Sequence, residues 1–182
     1  ATAVYGIWMK LQNFCYMPTY GLNNGIVPIL SYNYGIRRTD RVNQTMRLAV
    51  WGSAALMCLL LVILELVPQG ILTLFSAGEQ MREIGLACLR VCVISLPFGA
   101  ASMVLSTSMQ ALDHSRYAML INILRQCALL IFCFFALSLL THNLKWVWLA
   151  VPVTELVTFA VSMELNRRFR RRLFPSSGEV LK

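Results

Sequence analysis

A chain of 182 residues is long enough for one ordinary domain, yet 58% of its residues are hydrophobic, only 13% are charged, and the mean hydropathy is +0.64. This excludes a conventional water-soluble domain, in which about 25% of residues are charged so that something polar faces water. The net charge of +8 sits mainly in short clusters between long apolar runs. That distribution points to topology control and anionic lipid headgroups and excludes nucleic acid as a partner.

Five stretches, at roughly 3–30, 47–72, 85–110, 118–140 and 146–166, are long enough to cross a bilayer; a helix needs about 20 residues to do so. None alternates with a period of two, so strands are excluded, whereas helices satisfy their own backbone hydrogen bonds in lipid. The predicted fold is all-α: a polytopic transmembrane helical bundle of about five spans over residues 1–168, followed by a basic cytoplasmic tail, 169–182.

The first span is the most polar. Lys10, Asn13, Met17, Tyr20 and Asn24 recur at three- and four-residue steps and share one helix face, while Gln12, Tyr16, Thr19 and Asn23 share the adjacent one. Such a helix borders a water-filled cavity or packs against other helices. Pro18 predicts a kink, and Gly21 and Gly25 form a GxxxG motif that predicts close helix packing. The loop after it, Gly35 to Met46, carries Arg37, Arg38 and Arg41.

In the third span Ser95, Gly99, Ser102, Ser106 and Gln110 make a stripe of small and polar residues suited to helix contact, with a bend expected at Pro97 and with Arg90 near one end. In the fourth, Asn122, Arg125 and Gln126 lie close to an interface, and Arg125 is expected to snorkel to the headgroups. In the fifth, Glu155, Thr158 and Ser162 share a face just after Pro152. Charges inside a bilayer cost about 2.5–3.5 kcal/mol each on insertion scales, so Glu155 at that depth is expected to titrate, to bind a cation, or to pair with a neighbouring arginine.

Arg37, Arg38, Arg41, Arg47, Arg116 and the tail fall on one side of this topology, and only Arg82 and Lys145 on the other. The positive-inside rule puts the first side in the cytoplasm, so the first span begins outside. Trp146 and Trp148 suit the outer interface. The chain opens Ala1-Thr2-Ala3 with no basic leader, and an outside start implies an upstream span, hence a truncated or processed product. The six cysteines lie in apolar stretches without CxxC spacing; Cys88 and Cys92, four apart, share a helix face and are read as packing residues. No P-loop, HExxH or GxSxG is present, and no enzyme, metal or cofactor is expected.

The block Tyr5-Gly6-Ile7-Trp8-Met9-Lys10-Leu11-Gln12 through Pro18, then Gly21-Leu22-Asn23-Asn24-Gly25 and Pro28-Ile29-Leu30-Ser31-Tyr32-Asn33-Tyr34-Gly35, resembles the multidrug and toxin extrusion (MATE) family, most closely the bacterial branch of MepA-like and DinF-like pumps. Leu89-Arg90-Val91 with Pro97-Phe98-Gly99 resembles that family's tenth helix, and Trp148 through Pro152 with Glu155 its twelfth. The resemblance implies a fold of twelve helices in two lobes, of which this chain is a C-terminal fragment, helices eight to twelve, lacking the N-terminal lobe as partner. It also accounts for the outside start.

The implied function is multidrug efflux. Cationic or amphipathic drugs would leave by antiport with H⁺ or Na⁺ as coupling ion, across the cell (inner) membrane, through alternating access that the fragment alone does not support. Helices eight and ten carry Lys10 and Arg90 rather than acids, so coupling is assigned to the missing lobe. The residues expected to line the substrate cavity are Lys10, Asn13, Tyr16, Met17, Tyr20, Arg90 and Glu155. The alternatives are a lipid-linked oligosaccharide flippase of the same superfamily, served by Lys10, Arg90 and Arg125, and a non-transporting membrane scaffold.

Overall fold

The computed structural model describes residues 2–66, 86, 88–125, 131, 135 and 149–173. Among these there are five named helices and no strand: α1 (Thr2–Gly35), α2 (Thr39–Leu66), α3 (Leu96–Ala111), α4 (Ser115–Ile123) and α5 (Ala150–Leu173). Arg82, Lys145, Trp146, Trp148, Gln126, His142, Cys127 and Cys133 lie outside the described residues.

The α-helix is continuous through Pro18 and Pro28, both exposed on α1. The carbonyls their missing N–H groups leave free therefore fall on the outer side, where solvent or a partner can take them. The loop expected from Gly35 to Met46 is instead the short turn 36–38, because α2 already begins at Thr39 and carries Arg41 and Arg47 on helix. The helix end explains the economy. The Arg38 N–H donates to the Asn33 carbonyl (2.9 Å), and the Arg37 N–H donates to that of Tyr34 (3.0 Å). Arg37 is left-handed, with φ 56°. This is a Schellman closure with arginine where glycine usually stands. The same closure ends α3: the His114 N–H donates to Met109 (3.0 Å), that of Asp113 to Gln110 (3.2 Å), and Asp113 has φ 65°.

Before α3 the winding of residues 88–93 is interrupted at 94–95. Pro97 cannot donate to the preceding turn, and Ser95 closes the break by donating Oγ–H to the Cys92 carbonyl at 2.6 Å. At the place where a bend was expected from Pro97, the helix is interrupted at 94–95, two residues upstream of it.

Helix α3 is the centre of the bundle and packs against α1, α2, α4 and α5. Its composition suits that place: Gly99, Ala100, Ala101, Ser102 and Ser106 are all buried, and such small residues let neighbouring backbones close in. Thr39–Leu66 and Cys88–Ala111 are long and apolar enough to cross a membrane, but 67% of the apolar window is buried in the second and only 17% in the first. α2 therefore turns Leu48, Trp51, Leu59, Val62 and Leu66 outward, as a helix facing lipid would.

The two polar faces of α1 separate. Lys10, Asn13, Met17, Tyr20 and Asn24 are exposed, while Tyr16, Thr19 and Asn23 are buried toward the bundle. Gly21 and Gly25 fall on the exposed side, and a Cβ at either would meet nothing within 4 Å. Among the described residues the GxxxG motif therefore packs no helix, because the burial azimuth of α1 is set by Trp8, Leu11, Cys15, Tyr16, Ile26 and Leu30. Cys88 and Cys92 are buried with their Sγ atoms 3.9 Å apart, within the same core cluster as Cys15.

Basic clusters gather at one end. The Ser31 hydroxyl donates to the Ala111 carbonyl (3.0 Å), joining the end of α1 to the end of α3, and Phe169 of α5 packs edge-on against His114 with ring centroids 4.2 Å apart. The turn 36–38, the turn 112–114 and the basic run of α5 are thereby neighbours.

Candidate functional site: a cavity floored by a buried ion pair

Toward the opposite end, α1, α3, α4 with the residues just after it, and α5 line a cavity of about 420 Å³. Its mouth is framed by the exposed Asn13, Tyr20 and Asn122; its floor is formed by the buried Trp8, Tyr16, Val151 and Glu155, with Met9, Gln12, Met103 and Arg125 between.

Arg125 does not snorkel. Its Nε donates to Glu155 Oε1 at 2.9 Å, and the two side chains are only 11% and 7% exposed. A pair this enclosed is retained where both charges are held by the surrounding fold, because either one alone would carry the full cost of burial. Residues 124–125, just past α4, are wound as a π-type turn. The guanidinium carbon also lies 5.3 Å from the centroid of the Tyr16 ring, within the range of about 6 Å for cation–π attraction.

Gly99 makes this meeting possible. A Cβ there would overlap the Tyr16 hydroxyl and stand 3.1 Å from the Glu155 carboxyl. The central helix is thus bare where α1 and α5 converge on it. Below Glu155 on the same face of α5 two hydroxyls are satisfied within the helix: Thr158 donates to the Thr154 carbonyl (2.8 Å) and Ser162 to that of Thr158 (2.7 Å). At the cavity other polar groups are not: Glu155 Oε2, the Tyr16 hydroxyl and Trp8 Nε1 are buried without a hydrogen-bond partner. A buried acceptor beside unpaired donors is an arrangement a polar guest can satisfy.

Of the residues expected at a cavity, the structure brings together Asn13, Tyr16, Tyr20 and Glu155. Lys10 and Met17 stand on the exposed face of α1, and Arg90 is exposed on 88–93; none of the three is among the lining residues. Trp8, Met103 and Arg125 join the site instead. The sequence signals for Arg125 were its place inside an apolar stretch and an opposite charge, Glu155, in the next one. Among the described residues no group of three His, Cys, Asp or Glu side chains is placed to hold a metal ion.

A bundle of helices around a small-residue core helix, with apolar helix faces turned outward, is the construction of a polytopic helical membrane protein. The family model described as MatE matches residues 1–135, and the chain belongs to that family. It is 25% identical over 181 residues to the multidrug export protein MepA of Staphylococcus haemolyticus, covering 100% of this chain and 39% of that protein. It is 24% identical to an FAD transporter of Shewanella oneidensis, covering 100% of this chain and 40% of the other. The chain thus spans about two fifths of the length of these curated relatives. Among solved structures, an inward-facing multidrug resistance MATE family transporter superposes with a TM-score of 0.87 at 17% identity, covering 96% of this chain and 41% of that one. An outward-facing structure described in the same terms gives the same TM-score, 0.87. The fold is therefore that of part of one MATE transporter lobe.

Proposed function

We propose that this chain forms part of one lobe of a multidrug exporter that moves cationic or amphipathic small molecules out of the cell in exchange for H⁺ or Na⁺. The observation that carries the reading is the cavity itself. A carboxylate with an unpaired oxygen is set among Tyr16, Tyr20, Trp8, Met9 and Met103, and aromatic and thioether side chains adapt to many apolar guests while the carboxylate attracts a cation. The relatives named as multidrug export proteins support it.

In this reading the helices span the cell membrane at about 3–30, 47–72, 85–110, 118–140 and 146–166, with the first helix beginning outside and the tail cytoplasmic. The basic clusters at one end of the bundle support that orientation. The exposed face of α1, from Lys10 to Asn24, faces an opposing lobe across the transport path, and the likeness to both inward- and outward-facing structures supports a lobe that rocks without repacking. No catalysis is part of this function.

Export of ethidium by cells producing the intact protein, with and without Glu155→Gln, tests the reading. Loss of export in the variant supports it; undiminished export removes Glu155 from the mechanism. A second reading, an exporter of large anionic cargo, draws on the relative named as an FAD transporter and on the cationic Arg125 in the cavity. It predicts that Arg125→Gln abolishes transport while Glu155→Gln spares it.

A further inference from the structure

The Arg125 guanidinium occupies the place a cationic guest would take. A carboxylate and an aromatic face together make a recognition element for organic cations, and here both are already engaged by one side chain: Glu155 Oε1 at 2.9 Å and the Tyr16 ring at 5.3 Å. Yet the engagement is incomplete. A guanidinium can bond both oxygens of a carboxylate through its planar fork, whereas this one reaches a single oxygen and leaves Glu155 Oε2 buried and unpaired. Gly99 lies at the same point, and its missing Cβ is what lets the Tyr16 hydroxyl and the Glu155 carboxyl both reach the central helix. The pocket is thus shaped for a cation and only partly satisfied by the one it has.

We propose that Arg125 is a built-in competitor for an organic-cation subsite made by Glu155 and Tyr16; this rests on the reading of the cavity as a cation site. An arginine tethered beside the subsite acts at an effective concentration in about the millimolar range, so a guest binds only by displacing it. The displaced guanidinium then stands in the same cavity as a like charge, which raises the threshold further. Small hydrated cations gain nothing over the arginine. Delocalised cations with large apolar surfaces do, because they bury that surface against Trp8 and Tyr20 as well as meeting the carboxylate. Arg125 in this role is a specificity filter and does not itself hold the substrate.

Equilibrium binding of radiolabelled tetraphenylphosphonium to the intact protein in detergent tests this, because that probe is permanently charged, apolar and unable to donate a hydrogen bond. Arg125→Gln is expected to bind it about tenfold or more tightly than the unaltered protein, and Glu155→Gln more weakly. The double variant is expected to bind more tightly than Glu155→Gln alone, because the freed arginine no longer repels the probe. Arg125→Gln binding no more tightly than the unaltered protein overturns the proposal, as does the absence of binding in every form. Should Arg125→Gln fail to fold for want of a partner to Glu155, the neutral double variant decides: equal or weaker binding than Glu155→Gln overturns the proposal. Export of the same probe, measured in parallel, separates the two readings. The expected order of affinities without export sinks the exporter and keeps the competitor. Export with affinities indifferent to Arg125 does the reverse.

Discussion

Gly99→Ala is the smallest change that tests the architecture of the cavity. The new methyl group would overlap the Tyr16 hydroxyl and sit 3.1 Å from Glu155 Cδ and Oε2. Neither neighbour yields easily. Tyr16 is 2% exposed, its hydroxyl rides on a rigid ring, and Glu155 is tied to Arg125 at 2.9 Å. Inserting a methylene-sized group into a packed core costs about 1–3 kcal/mol, and a helix-propensity gain of up to about 1 kcal/mol for replacing glycine partly offsets it. A net loss of up to about 2 kcal/mol is expected, read as a lowered thermal midpoint of the intact protein in detergent. The decisive comparison is the same substitution in a Tyr16→Phe background. Removing the hydroxyl deletes the atom that overlaps and, since that hydroxyl has no hydrogen-bond partner, costs little by itself. The double variant should regain at least half of the loss, with the 3.1 Å contacts to Glu155 accounting for the remainder. An identical penalty for Gly99→Ala in both backgrounds would refute the packing of Tyr16 on Gly99.

Three further outcomes follow from the same structure. Arg125→Met should destabilise the protein by about 3–5 kcal/mol by stranding Glu155, while Arg125→Met with Glu155→Met should recover much of that loss; chemical denaturation of the four forms measures the coupling, and additive losses would show that the two residues do not pair. Arg37→Gly should raise the thermal midpoint, because a left-handed non-glycine residue costs about 1–2 kcal/mol and glycine returns about 0.5–1 of that in backbone entropy. Asp113→Gly should gain less, since aspartate tolerates that conformation. Finally, a nitroxide on Cys58, exposed on α2 beside the outward Leu59 and Val62, should be more accessible to oxygen than to a water-soluble nickel chelate in lipid vesicles. A nitroxide at Asn24→Cys on the polar face of α1 should show the opposite preference, and equal profiles would remove the distinction between a lipid-facing α2 and a wet α1.

Much about this protein was legible in its sequence because it depends on one helix at a time. Scarcity of charge and length of the apolar runs determined a helical membrane class. Three- and four-residue spacing determined that α1 has two polar faces, and the small residues of the third stretch marked a helix in close contact with others; that it is the one the others surround came from the packing. Spacing does not say where a face points. Lys10 and Met17 lie on a face as polar as that of Tyr16, but only the latter turns into the bundle, because Trp8, Leu11, Cys15 and Leu30 set the rotation of α1. Gly21 and Gly25 carry a packing motif without a packing partner among the described residues for the same reason. The meeting of Tyr16, Gly99, Arg125 and Glu155 was decided by tertiary structure alone: the charged pair is 30 residues apart in sequence, and its third and fourth members come from two other helices. The apolar runs announced that charges were buried in this protein; which charge answers which is settled by how helices cross, and that is a property of the packed bundle.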